Sequence, residues 1–317
     1  MKVTIESLSG EPGSKRRGLL PVDGTEIEMP ITIVHGRASG PTVLVTAGVH
    51  GGEYPSIEAA IRLAGDLDPA QCAGTVVIVH IYGISAFGAR LQYLVPEDGK
   101  NPNRVFPGKA TGTVSERMAF TLMETFAAHA DAWIDLHGGD IHEALEPFAI
   151  YSDAAAPEVV GRSRAMAEAF GITNIITSNS IAGGTYGAGA ARGIPTILAE
   201  AGGEGRLDEP SVAVLTRGLD NVLRLLGVVS GKPEPVPPAT FMSQFAWLRS
   251  EHRGCWYPAV RAGARVAVDA RIGVIKDYWG EPIVEVRAPA GGVVLFVVTS
   301  LAINPNDPLV GIGIQEA

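Results

Sequence analysis

Two apolar runs in this chain each end in a histidine followed by paired glycines. The first, Thr42 to Val45, leads into Thr46-Ala47-Gly48-Val49-His50-Gly51-Gly52-Glu53; the second is Ala132-Trp133-Ile134-Asp135-Leu136-His137-Gly138-Gly139. A strand that ends in a glycine-loosened turn can aim its last side chains at a point beyond the sheet edge. Two such strands in one sheet therefore constrain the fold, because they can bring His50, Glu53 and His137 to one place. Two imidazoles and one carboxylate form a three-ligand set with an open fourth position, the arrangement of a catalytic rather than a structural zinc. A His-x-x-Glu pair alone is a weak signal, and the two strand-end sites together are a much stronger one.

Composition narrows the setting. With 317 residues, 46% of them hydrophobic, the chain can bury a large core and is expected to divide into two domains. A net charge of −9 without a basic stripe argues against a nucleic-acid binder. The one basic run, Lys15-Arg16-Arg17, reads as a solvated loop. No signal-peptide core and no membrane-spanning apolar segment are seen, so a cytoplasmic protein with no membrane partner is expected. The two cysteines, Cys72 and Cys255, lie far apart, which excludes a disulfide framework and fits a reducing compartment. Neither has a metal-like spacing, so a metal site must be built from histidines and carboxylates.

From about residue 25 to 230, short apolar runs alternate with amphipathic stretches, the pattern of an α/β sheet covered by helices. Strands are expected at 27–34, 42–47, 75–81, 132–136, 172–177 and 196–199, and helices at 55–67, 115–130, 157–170 and 211–226. The stretch from Ser85 to Gly112, rich in Gly, Pro and Asn, is expected to be a long functional or disordered loop. Gly231 to Pro238, with four prolines, reads as a semi-rigid linker. The expected division is thus residues 1–230 and residues 231–317, the second a small all-β unit of short β-branched segments. Val286-Arg287-Ala288-Pro289-Ala290-Gly291-Gly292-Val293-Val294 resembles the barrel-sandwich fold of lipoyl and biotinyl domains. No lysine stands at a presented hairpin tip, so a packing or oligomerisation role is preferred, and its strand edges could pair across a homo-oligomer.

Four phrases follow one another in the α/β region: His50-x-x-Glu53, then Asn101-Pro102-Asn103-Arg104-Val105-Phe106-Pro107-Gly108, then His137, then Ile197-Leu198-Ala199-Glu200-Ala201-Gly202-Gly203. As an ordered set they resemble the succinylglutamate desuccinylase/aspartoacylase family, a branch of the zinc carboxypeptidase-like fold. The resemblance implies a mixed sheet flanked by helices with a small β domain after it. It also implies one Zn2+ per chain, held by His50, Glu53 and His137, with Glu200 as general base and Asn103 and Arg104 gripping a small N-acyl substrate. Hydroxide generated on zinc would attack the acyl carbon, and Glu200 would carry the proton to the departing amine. Arg104 suits an anionic group because its planar fork matches a carboxylate.

The chain departs from the family pattern in two places. Tyr93 stands where the family often has a carbonyl-polarising arginine, with Arg90 three residues earlier, so either residue could serve or the oxyanion could rely on zinc. A further arginine typical of aspartoacylases before the base is missing, with Arg192 slightly later, which argues against N-acetylaspartate as substrate. Tyr186 is expected on a loop lining the pocket. Asp135, two residues before His137, either orients that imidazole or closes a backbone turn. His142 and Glu143 read as loop surface, while His35, His80, His129 and His252 lack partner spacing and read as structural. An ester substrate, a carboxypeptidase acting on peptides, or a binding protein with a vestigial metal site are the competing readings.

Overall fold

A computed structural model describes residues 10–315; the N-terminal residues that bear on the signal-peptide expectation lie outside the described residues. An antiparallel pair, β1 (Ser14–Pro21) and β2 (Glu28–His35), is followed by β3 (Ala38–Ala47), β4 (Ala73–Val79) and β5 (Ala132–His137). Next come β6 (Glu143–Leu145), β7 (Phe148–Tyr151), β8 (Asn174–Thr177) and β9 (Thr196–Glu200). The connections carry helices α1 (Tyr54–Asp66), α2 (Ile84–Ala89), α3 (Val114–Thr125), α4 (Pro157–Phe170), α5 (Thr185–Ala191) and α6 (Glu209–Leu225). Beyond residue 230 lie β10 (Thr240–Arg249), β11 (Gly254–Pro258), β12 (Arg265–Val266) and β13 (Arg271–Lys276). The last four strands are β14 (Pro282–Arg287), β15 (Gly292–Val298), β16 (Ala302–Ile303) and β17 (Pro308–Gln315).

Side-chain alternation explains why the central strands are covered on both faces. Val43, Val45 and Ala47 of β3 pack with Ile134 and Leu136 of β5 and with α1, α4 and α6. Leu44 and Trp133 point the other way, into a cluster with Met118, Leu122 and Met123 of α3. Pro55, Pro157 and Pro210 occupy the first turns of α1, α4 and α6, where a missing N–H costs nothing. Asp208 adds an N-terminal cap by accepting a hydrogen bond from the Ser211 amide at 3.0 Å.

The large sheet runs β1-β2-β4-β3-β5-β9-β7-β8-β10-β17-β15-β12, with β6 pairing β15 off that path; a second sheet runs β14-β13-β11-β16. Strands β4, β3, β5 and β9 are mutually parallel, and β7 turns antiparallel on β9. The mixed α/β class expected from the sequence is therefore present, with a separate antiparallel sheet after it. Three local expectations change. Lys15-Arg16-Arg17 lies on β1, an edge strand whose cationic side chains discourage pairing with another chain. The helix expected at 115–130 stops at Thr125 and is followed by a short 3-10 turn, Ala127–His129. The stretch 85–112 is not structureless, since it contains most of α2 and a 3-10 turn at Pro102–Arg104. Among the described residues, no helix is long and apolar enough to cross a membrane.

The proline-rich segment 231–238 has no helix or strand, as its composition requires. The hydrogen-bond ladder nevertheless continues past it: β10 pairs in parallel with β8, and β15 pairs with β6. One apolar cluster joins Phe148, Ile150, Ile176 and Leu198 to Met242, Val293 and Leu295. A chain ending at residue 230 would leave β8 and this cluster open to water, so it is expected to aggregate. Size-exclusion chromatography with a hydrophobic dye checks this, and a monodisperse, dye-silent 1–230 fragment would show that the first unit folds alone.

Candidate active site

Strand register brings the first two groups together. His137 ends β5 and Glu200 ends β9, and the two residues are direct partners across that parallel pair. On the other side of β5, Ala47 of β3 is level with Leu136. The chain leaving β3 turns at Gly48, whose φ of +60° suits glycine. It then delivers His50 and Glu53 to the same edge just before α1. Gly52 is required for a second reason: a Cβ there would stand 2.1 Å from the Asp140 carboxylate.

The resulting cluster is almost closed to solvent, with His50, Glu53 and His137 exposed by 8%, 2% and 1%. Their donor atoms all lie within 4.8 Å of one another. His50 Nδ1 meets Glu53 Oε1 at 2.7 Å, while its Nε2 faces Asn101 Oδ1 at 3.0 Å. His137 shows the same arrangement, with Nδ1 at 3.0 Å from Glu53 Oε2 and Nε2 at 2.9 Å from Asp135 Oδ2. Each ring thus has an outer oxygen acceptor at Nε2 and presents Nδ1 to the common centre, the orientation that metal-binding imidazoles need. Glu53 Oε2 is buried and, despite that close approach, makes no well-formed hydrogen bond. Paired inward nitrogens, a carboxylate and an orphaned oxygen fit a divalent metal of the zinc type.

Asp135 sits on the same face as His137 because two residues separate them on a strand. It accepts from Thr46 Oγ1 and Thr185 Oγ1 as well as from His137, and Trp133 Nε1 donates to Thr46 at 2.8 Å. Of the two readings of Asp135, the structure shows the one that orients the imidazole. Electrostatics follow from this packing. Burial alone would push the Glu53 carboxyl up, but His137 and His50 hold it down at about 2. Burial opposes protonation of His137 and His50, yet Glu53 raises both, strongly for His137 where Asp135 adds to it. Desolvation, reinforced by Glu53, Glu143 and Asp135, raises the Glu200 carboxyl well above its ordinary range against the pull of His137. A bound cation would replace the protons of the two imidazoles.

These residues open into a cavity of about 220 Å³. Glu200, Asn103, Arg104 and Tyr93 all line it with the His–Glu–His cluster. Asn103 Oδ1 accepts from the Thr185 amide at 2.9 Å, which locks the turn that carries Arg104. Arg90 does not join them. It caps α2 in the left-handed conformation and borders a separate surface hollow with Tyr54 and Phe87, so Tyr93 is the member of that pair at the cavity. Tyr186 is not on a loop but in the first turn of α5, where it is 1% exposed and packs in the apolar cluster behind the cavity wall.

Several lining groups were not foreseen. Trp247 and Arg249 of β10 line the cavity, with the Arg104 and Arg249 guanidinium carbons 5.9 and 4.9 Å from the Trp247 ring centroid. Trp247 Nε1 is buried without a partner among the described residues. Glu143, expected at a loop surface, is 8% exposed and lines the cavity, whereas His142 is exposed as expected. The reason is tertiary: β6 is drawn inward by pairing with β15, Glu143 opposite Val298. Burial and Asp140 push the Glu143 carboxyl up to about 7, while the adjacent Tyr93 hydroxyl draws it partway back. The signal available in the sequence was slight: Asn101 lay within the Asn-Pro-Asn-Arg phrase, but nothing local marked Trp247, Arg249 or Glu143.

A mixed α/β fold that sets a carboxylate beside a His–Glu–His cluster able to hold a metal, all at one sheet edge, is the frame of a hydrolase. Residues 39–226 match the succinylglutamate desuccinylase/aspartoacylase catalytic domain, and the chain belongs to that family. It is 30% identical over 303 residues to the N-alpha-acetyl-L-2,4-diaminobutyric acid deacetylase of Halomonas elongata, covering 92% of this chain and 88% of that one. The product-bound ectoine utilization protein EutE (DoeB) of Ruegeria pomeroyi superposes with a TM-score of 0.86 at 27% identity, covering 95% of each chain. A succinylglutamate desuccinylase/aspartoacylase of Rhodobacter sphaeroides gives 0.84 at 28% identity, covering 95% of this chain and 96% of that one.

Two outcomes follow from the geometry. Replacing Asp135 by Asn is expected to weaken zinc affinity by about 10–100-fold, read by chelator competition, since the His137 ring loses its anionic acceptor; unchanged affinity would contradict that role. Glu143 provides a pH signature. Its proton is held more tightly in the folded chain than at the ordinary 4.5, so folded stability falls as pH rises from that value through about 7. In metal-free protein, Glu143→Gln should therefore gain roughly 3 kcal/mol on wild type between pH 5 and pH 8 in denaturant unfolding. Parallel curves at both pH values would contradict the shift.

Proposed function

We propose that the chain is a zinc-dependent hydrolase that removes the acyl group from an N-acyl amino acid. The observation that carries this reading is the register pair His137 and Glu200, set beside His50 and Glu53 in one small cavity that also presents Arg104. Zinc, when bound by His50, Glu53 and His137, lowers the pKa of a water to about 7 and polarises a carbonyl. The protein side chains do the rest.

Glu200 takes one proton from the attacking water and delivers it to the amine nitrogen as the C–N bond breaks, so the first products are a carboxylic acid and a neutral amine; the acid's proton then passes to the amine, giving a carboxylate and an ammonium. Its raised affinity for a proton suits this exchange. Arg104, anchored by its Nη1 bond to the Asn103 carbonyl at 2.7 Å, holds the substrate carboxylate, and the unpaired Trp247 Nε1 offers a second donor. A cavity near 220 Å³ is below the roughly 300 Å³ at which pockets for drug-sized ligands begin, which supports a small substrate over a peptide. The named activity of the Halomonas relative makes Nα-acetyl-2,4-diaminobutyrate the first substrate to try.

Hydrolysis of N-acetyl, N-succinyl and N-formyl amino acids by zinc-loaded protein, followed by amine release against a dipeptide control, tests the proposal. Glu200→Gln should keep its zinc and lose about 10²–10⁴-fold in kcat. Full activity in that variant, or cleavage of dipeptides in preference to N-acyl amino acids, would overturn it.

A further inference from the structure

We propose that Glu143, with the Tyr93 hydroxyl beside it, is the receptor for a second, cationic amine on the substrate, so that the enzyme selects N-acylated diamino acids whose other amine is free. This rests on the deacylase reading above and names the feature that narrows its substrate.

Glu143 is a buried carboxylate with no ion-pair partner among the described residues. It lies outside the His50–Glu53–His137 group of metal donors, yet its side chain lines the same cavity. An uncompensated carboxylate in such a place is costly to keep, and a cation that arrives with the substrate removes the cost. The arginines that line this cavity, Arg104 and Arg249, are both gathered at Trp247, where they suit the substrate carboxylate. The lining thus offers one anionic receptor and one cationic receptor in addition to the reacting centre. A ligand bearing an ammonium, a carboxylate and an acylated nitrogen answers all three.

The construction of the subsite is rigid. The Glu143 backbone pairs with Val298, and its carbonyl accepts the Glu204 amide at 2.9 Å. Glycine is needed on both sides of that carbonyl, because a Cβ at Gly139 or Gly203 would stand 2.6 or 2.1 Å from it. Tyr93 is held at φ +56°, an unfavourable region for a side-chain-bearing residue, by the Asp140 carboxylate, which accepts its amide at 2.8 Å. Strain of that kind persists only where the surroundings enforce it. Its result is a tyrosine hydroxyl that is buried, lacks an aligned hydrogen-bond partner and borders the cavity beside Glu143. A carboxylate and a phenol oxygen are both acceptors for the three protons of an ammonium.

The test compares zinc-loaded wild type, Glu143→Gln and Glu143→Asp on two substrates: Nα-acetyl-2,4-diaminobutyrate and Nα-acetylnorvaline, in which a methyl replaces the ammonium. Wild type should prefer the diamino substrate, and Glu143→Gln should lose about 100-fold in kcat/KM on it, chiefly through KM, while staying within about threefold on the norvaline derivative. Glu143→Asp keeps the charge and should keep the preference. Calorimetric titration with free 2,4-diaminobutyrate should show binding at least about tenfold weaker in the Gln variant, independently of turnover. Equal loss on both substrates, or a wild type that hydrolyses both equally well, would overturn the inference while leaving the deacylase reading in place. A wild type that cleaves neither substrate nor any other N-acyl amino acid would overturn both. If the Gln variant does not fold, the wild-type preference and the Asp variant decide.

Discussion

His137 and Glu200 face each other across a parallel strand pair, and the rest of the site depends on that alignment. Parallel strands are evenly bonded, so register partners end at the same height. A one-residue slip of β9 would turn Glu200 to the opposite face and remove a carboxylate from beside the imidazoles. The register is held in place by the apolar alternation of β3, β5 and β9, whose two faces feed two different cores. The same alternation puts Thr46, Asp135 and His137 on one face, where they satisfy one another in a layer otherwise filled by Trp133 and α3. Buried polar groups in an apolar layer are tolerated because the chain from the Trp133 indole to the Glu53 carboxylate leaves few of them unmatched.

Around this fixed edge the site combines opposite electrostatic demands. The two imidazoles stabilise Glu53 as an anion, while burial and neighbouring carboxylates press Glu200 and Glu143 towards their protonated forms. Carboxyl groups in one cavity are thereby separated in proton affinity, which is the condition for giving them different tasks. The C-terminal strands take part in this division. β10 supplies Trp247 and Arg249 to the cavity, and β15 holds Glu143 inside it. The small antiparallel sheet formed by β11, β13, β14 and β16 stands apart from the chemistry.

Much of this could be read from the order of residues. Apolar runs ending in histidine and glycine located β3 and β5, and amphipathic stretches located α1 and α4, because strand and helix periods are local properties. The His50–Glu53–His137 cluster and Glu200 were legible for the same reason: each stands at the end of a strand that the sequence itself delimits. Asp135 was half legible, since its two-residue spacing placed it on the right face but left its partner open.

What the sequence by itself determined is the α/β frame, the His50–Glu53–His137 cluster that could hold a metal, and the family to which the chain belongs. Only the tertiary structure decided which further groups reach the cavity. Arg90 turned outward because a left-handed helix cap redirected it, and Tyr186 withdrew into a helix behind the wall. Glu143 moved from an expected surface to the cavity through pairing with a strand that lies roughly 150 residues later, and Trp247 and Arg249 arrived from beyond a proline-rich segment. Such placements depend on non-local hydrogen-bond ladders, whose partners no local pattern can name.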